Sequence, residues 1–272
     1  MPDPLSAALA TLRSRYGPLA LRRGDQQTAT EMWPTGVPVF DSLLTLGGLP
    51  RGRVTVLAAA SGRGASGRLT LLQSLAAVAS RGGEVAYVDL AGTMDPGFLA
   101  DLDARLDACL VVTPPSDRWG RGFAMARALV IAGMPWMGIA LGTGLRPPAA
   151  SWEHTLAALA EAVSKRGAVC VIATPGPPPA PLAHAASLTL TCAAAGWQRG
   201  HGDVTGIRVH VTIGKNKVAA THGAEATLLL RYPRPYATAD VVGLPSVVTP
   251  LAVTADRIAQ RETDAMQLTS AQ

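Results

Sequence analysis

VTVLAAASGRGASGRLTLLQSL, residues 54–75, decides the fold. Val54 to Ala58 is an apolar run of strand length, and Gly62 to Gly67 is a glycine-rich loop. Beyond it Leu69, Leu72, Leu75, Ala76 and Ala79 recur at helical spacing, which predicts an amphipathic helix that stops at Gly82-Gly83. A buried strand feeding a helix through a tight loop is the opening half of a βαβ unit.

Outward from this segment the same grammar repeats. Val85 to Leu90, Cys109 to Val112, Met137 to Leu141 and Val169 to Ala173 read as further strands, with helices at 123–132 and 152–166 between them. The alternation predicts an α/β fold, a mostly parallel sheet with flanking helices. ACLVV and VCVIATP, around Cys109 and Cys170, read as buried strands. After Ala185 the pattern changes to SLTLTCA, GIRVHVTIG and EATLLLRY with little helix between. Ile207, Val209, Val211 and Ile213 alternate there with Arg208, His210 and Thr212, which predicts antiparallel strands at the C-terminal edge with one face toward solvent. Upstream, LSAALATLRSRY places Leu5, Leu9, Leu12 and Tyr16 near one helical face before Gly17-Pro18. So short a helix cannot bury its stripe alone and needs a domain of its own or a neighbouring molecule. The expected division is an N-terminal helix and linker over 1–33, a core over 34–232, and a proline-bearing, partly flexible extension over 233–272.

Apolar residues make up 48% of the 272 and charged residues 16%, enough for a sizeable core and against wholesale disorder. The net charge of +5 tolerates nucleic acid without identifying a contact, because the arginines are scattered. Cys109, Cys170 and Cys192 lack metal or disulfide spacing, and no signal peptide is visible, so a reduced, cytoplasmic setting is expected. The uncharged run Ala128 to Leu145 has the length of a membrane span, but its glycines and Pro135 divide it into a helix end, a turn and a strand. No membrane association is expected. The histidines, at 154, 184, 201, 210 and 222, show no metal spacing; Trp119, Trp136 and Trp152 read as packing anchors, and Glu153 and Glu161 as a solvent-facing helix surface.

A phosphate-binding loop needs GxxxxGK[S/T] between strand and helix: backbone N–H groups cradle phosphates, the lysine reaches them, and the hydroxyl binds Mg²⁺. Gly62 to Gly67 has the spacing, but Arg68 and Leu69 follow. Leucine offers magnesium nothing, and arginine presents its donors differently from lysine. Four further strings widen the frame: TGVPVFDSLLTLGGLPRGRV (35–54), YVDLAGTMDP (87–96), LDACLVVTPP (106–115) and GIRVHVTIGKNKVAATHGAEATLLL (206–230). In this order, over about residues 5–232, the chain resembles bacterial RecA recombinases, and residues 5–16 resemble the helix through which family members dock on a neighbour.

The resemblance implies a RecA-type fold in which the P-loop lysine falls on Arg68 and the magnesium-binding hydroxyl on Leu69. The catalytic glutamate falls on Ala91, the acidic end of the second ATPase strand on Leu141 or Gly142, and the γ-phosphate sensor near Thr174. Metal positioning and an oriented water supply most of the rate in phosphoryl transfer, so the chain is expected to be a pseudo-ATPase with no catalytic residue, no metal and no required cofactor. Asp95 and Phe98 match the family's adenine contacts, and Lys215 and Lys217 match lysines that reach a neighbour's nucleotide, so weak nucleotide binding stays open. The same residues also read, more simply, as a helix cap (Asp95), core (Phe98) and a solvated turn (the lysines). The connections Gly142 to Ser151 and Pro175 to Pro181, where the family carries DNA-binding loops, are short and almost uncharged, so DNA contact is expected to be weak or indirect.

A RecA-like core with a docking helix, no ATPase residues and a replaced C-terminus resembles the ImuA family. That resemblance implies a non-catalytic adaptor in SOS mutagenesis and translesion synthesis. It would engage RecA or itself through Leu5, Leu9, Leu12 and Tyr16, and an ImuB-like polymerase accessory through the C-terminal extension. Two alternatives are an ATP-binding regulator of recombination and an SOS-induced inhibitor of cell division.

Overall fold

The computed structural model describes residues 4–16, 30–44, 46–60, 65–115, 119–143, 149–200, 203–219 and 223–232; of residues 4, 5, 7, 13, 16, 149 and 150 only the backbone is described. The chain divides into two compact units, Met1–Glu31 and Met32–Gln272. The first contains helix α1 (Pro4–Tyr16), on which Leu12 is 40% exposed and Leu9 half-buried. The expected partner side chains of Leu5 and Tyr16, like the whole 233–272 extension, lie outside the described residues.

In the second unit a small ribbon, β1 (Met32–Trp33) with β2 (Leu49–Pro50), flanks helix α2 (Pro38–Leu43). Strand β3 (Arg53–Ala59) then feeds helix α3 (Arg68–Gly82), as the opening segment predicts. The remaining elements are β4 (Val85–Leu90), α4 (Pro96–Asp101), β5 (Cys109–Val112), α5 (Trp119–Ile131), β6 (Trp136–Leu141), α6 (Ala149–Arg166), β7 (Val169–Thr174), α7 (Ala180–Ala185), β8 (Leu188–Gly200), β9 (Asp203–Asn216) and β10 (Glu225–Arg231). Eight strands form one sheet in the order β10-β9-β8-β3-β7-β6-β4-β5. From β8 to β5 neighbouring strands are parallel; β8-β9 and β9-β10 are antiparallel.

The sheet is covered on both faces. Leu57, Tyr87, Val171 and Ile207 pack with Leu71, Leu72 and Leu75 of α3 and Phe40 of α2. Val56, Val88, Ile139 and Ile172 pack on the other face with Phe123 of α5, Leu156 and Val163 of α6 and Leu182 of α7. Strands sandwiched in this way cannot alternate apolar with polar, and every residue of β4, β6 and β7 is buried. Trp152 meets Phe123 edge-on at 5.2 Å and Trp119 at 5.0 Å, and Trp136 is 1% exposed, so these tryptophans are packing anchors. No described helix is long and apolar enough to cross a membrane; the run from Ala128 is the end of α5, a turn and β6.

Three expectations need correction. ACLVV is not a buried strand: β5 is the sheet's edge, where Leu110 is 44% and Val111 38% exposed, because nothing described pairs with its outer side. Strand β8 runs past SLTLTCA to Gly200, carried by a long hairpin with β9 whose register shifts at Ala194/Gly196 and Gln198/Arg199. Helix α5 starts at Trp119, ahead of the expected Phe123, and its Gly122 packs so closely on Pro114 and Leu90 that their atoms would stand 3.0 and 3.1 Å from a Cβ there.

Candidate functional site

In open α/β sheets ligands lie outside the carboxyl ends of the parallel strands. Here that edge gathers Gly67, Arg68 and Leu69 after β3, Ala91 after β4, Gly142 after β6 and Thr174 at the end of β7. Gly62 lies outside the described residues.

Gly67 caps α3 with a left-handed backbone, φ +73°, and a Cβ there would stand 2.2 Å from Val209 Cγ2 and 3.3 Å from Leu230 Cδ1. The glycine therefore serves packing of α3 onto β9 and β10, whatever else the loop does. Arg68 is half-buried. Its backbone N–H and one guanidinium nitrogen reach Ser66 Oγ at 3.5 and 3.4 Å, and its Nε is buried without a partner among the described residues. Burial lowers its pKa; the thiol of Cys192 and the phenol of Tyr87 act the other way. The Tyr87 hydroxyl is itself buried without a partner among the described residues. Burial raises the pKa of the Tyr232 phenol, with Thr70 in the first turn of α3 acting the other way, and the Tyr232 ring lies 6.5 Å from Trp197.

Across the edge, Ala91 belongs to a loop organised by residues that sequence reasoning passed over. Asp89 is 4% exposed, and its carboxylate accepts N–H groups from Ala91 at 3.0 Å and from Thr93 and Met94 at 2.8 Å each. Gln73 of α3 donates to Thr93 O and accepts from Asp95 N, both at 3.3 Å. The available signal was a lone carboxylate at the end of an apolar strand before Ala-Gly, a pattern that favours side-chain-to-backbone turns. Asp95 caps α4, accepting from Gly97 and Phe98 N–H at 2.9 and 3.1 Å, and Phe98 packs partly buried near Leu99 and Leu102. Gly142 stands so near that a Cβ would lie 3.0 Å from Leu90 O and 3.2 Å from Ala91 Cα. A carboxylate has no room there unless the β4 end moves. Thr174 Oγ1 is spent on Gly176 O at 2.7 Å.

Lys215 and Lys217 do not join this cluster. Lys217 N bonds Ser187 O and Ser187 N bonds Val54 O, which puts the lysines at the opening end of β3. Val54 to Ala59 is about 16 Å of strand, at roughly 3.3 Å per residue. Lys217 is exposed in the bend after β9, as a solvated turn would have it, and both lysines are anchored there. Lys215 Nζ donates to Ala183 O and Lys217 Nζ to His184 O at 3.0 Å, cations on the last carbonyls of α7. Burial, then Lys217, lowers the Lys215 pKa.

The described residues at the carboxyl edge do not fit a magnesium-bound nucleotide. Leu69 brings no oxygen, Ser66, Asp89 and Thr174 have their oxygens engaged within the protein, and a side chain at Gly142 would need the β4 end to move.

Residues 3–136 match the RecA N-terminal domain. Among curated proteins, Protein RecA of Xanthomonas axonopodis pv. citri (strain 306) is 36% identical over 132 residues, 47% of this chain and 37% of that protein. Protein RecA of Tropheryma whipplei (strain Twist) is 38% identical over 115 residues, 41% of this chain and 26% of that one. The chain thus spans about a third of the length of the curated relatives it matches. Among solved structures, the crystal structure of the RadB recombinase superposes with a TM-score of 0.58 at 17% identity, covering 73% of this chain and 96% of that one. The fold is RecA-like.

Proposed function

We propose that this RecA-like chain is a non-catalytic adaptor in DNA damage tolerance, of the kind that serves error-prone translesion synthesis. One observation carries the reading. Where the resemblance places a metal-binding hydroxyl, a water-activating glutamate and a metal-binding acid, the carboxyl edge holds Leu69, Ala91 and either Leu141 or a Gly142 pressed against Leu90 and Ala91. Phosphoryl transfer is mostly positioning and charge stabilisation, and three such losses in one site are not repaired by a neighbour. A core that keeps its packing but not its chemistry works through contact. The exposed Leu12 and half-buried Leu9 of α1 are the surface for RecA or for a second copy, and the 233–272 extension is the candidate for an ImuB-like accessory.

The test has two arms. Purified chain, with and without single-stranded DNA, is expected to release phosphate from ATP at background rate. RecA and an ImuB-type protein are expected to co-purify with it, and Leu9→Asp with Leu12→Asp to remove RecA or self-association. Turnover at recombinase speed, or association indifferent to those changes, would contradict the proposal.

A further inference from the structure

Helices α6 and α7 leave a groove between them on the sheet face that α5 also covers. Leu156, Ala157 and Ala160 of α6 and Ala180, Pro181 and Ala185 of α7 line it, around about 670 Å³. Leu156 is buried at its base, whereas Ala157 and Ala180 are exposed. Neither wall is loose. Leu182 packs α7 into the cluster that holds Leu156 and Val163 of α6, and Lys215 and Lys217 bond the last carbonyls of α7. The rims carry Glu153 and His184, both exposed, and Glu153 is the single carboxylate in the lining. Farther along α6, Glu161 and Lys165 satisfy each other at 2.6 Å. The Glu153 carboxylate has no salt bridge or hydrogen bond among the described residues.

We propose that the α6–α7 groove seats one helix of a different protein, with an apolar stripe toward the alanines and a lysine or arginine that meets Glu153. The walls select a helix. An α-helix spends its backbone groups internally, so α6 and α7 offer no row of N–H and C=O groups to an extended chain, which would bury its own unpaired. A helix arrives with those groups satisfied, and alanine walls admit it closely without side chains to order. Charge sets the orientation. Glu153 lies near the start of α6, so an occupant antiparallel to α6 brings its carboxyl-terminal turn, where cations are favoured, to that carboxylate. Helix α1 also carries arginines, Arg13 and Arg15, but its leucine stripe is assigned above to RecA or a second copy. An adaptor needs a second hold, on another protein, and the groove supplies one. The inference rests on the adaptor reading for that pairing of partners; the groove itself stands on its exposed walls.

The test selects a display library of helical peptides on the immobilised full chain, and the enriched peptides are then synthesised. Enriched sequences are expected to place apolar residues at i, i+3 or i+4 and i+7, with Lys or Arg in the last turn. Ala157→Trp fills the groove from an exposed position and should weaken binding about tenfold or more with the circular dichroism spectrum unchanged. Glu153→Lys should reverse the preference between Lys- and Glu-bearing versions of one peptide. Failure to enrich, equal binding to the Ala157→Trp chain, or an unchanged preference in the Glu153→Lys chain overturns the proposal. Competition by a synthetic peptide of residues 4–16 overturns it too, in favour of a second copy. ATP turnover by the same sample would sink the adaptor reading and leave the groove standing, whereas loss of peptide binding alone leaves the adaptor reading untouched.

Discussion

Gly67→Ala tests whether the last glycine of the loop is held by packing. The added methyl would sit 2.2 Å from Val209 Cγ2, well inside contact distance, on a backbone with φ +73°. A left-handed alanine costs about 1–2 kcal/mol, and forcing an extra carbon into a packed core about 1–3 kcal/mol. Reduced freedom of the unfolded chain returns roughly 0.4–1 kcal/mol. The net expectation is a loss of about 2–4 kcal/mol, or roughly 5–15 °C in Tm for a domain of this size. Val209 is fully buried, so Val209→Ala costs about 2 kcal/mol on its own. Combined, the two changes should be less damaging than their sum by about 1–3 kcal/mol, because the clash disappears while the backbone term remains. Urea denaturation of the four proteins gives the cycle. A Gly67→Ala protein within about 0.5 kcal/mol of the parent, or no coupling to Val209, would refute the packing account.

Arg68→Met should raise Tm by a few degrees, since it removes a half-buried guanidinium whose Nε has no partner among the described residues and keeps the stem; a fall in Tm would show a missed counter-charge. Asp89→Ala strands three backbone N–H groups and should cost about 2–3 kcal/mol, with faster amide exchange over 91–95 in mass spectrometry. Burial pushes the thiols of Cys170 and Cys192 up to about 12 and raises the Tyr87 phenol as well. These acids are neutral when protonated, so the stability they contribute is complete below the unfolded thiol range and is lost as pH climbs from about 9 toward 12. Alkaline melting curves should show that loss, and iodoacetamide at pH 8 should label Cys109 first.

Much of the core was legible because buried parallel strands leave a blunt record. VAYVDL and VCVIAT contain no alternation, and a strand covered on both faces needs none. Edge status was not legible in CLVV, because an apolar tetrad looks the same in the middle of a sheet as at its rim; only the strand order distinguishes them. The site divides similarly. The substitutions at 68, 69 and 91 are visible as letters, but the hold of Asp89 and Gln73 on one loop depends on β4 and α3 meeting in space. The anchoring of Lys215 and Lys217 was not legible for the same reason: Lys-Asn-Lys is ordinary turn composition, and α7, whose carbonyls the lysines bond, lies thirty-odd residues away in the chain.

The loop from Ala91 to Asp95 is tied at five backbone points by Asp89 and Gln73. Its shape is finished before anything arrives. A visiting protein that settled on this rim would find it already set, with no ordering entropy left to lose on this side, so small contact areas there would yield more affinity than the same areas on a slack loop. Cutting the ties should therefore slow nothing in encounter and hasten departure.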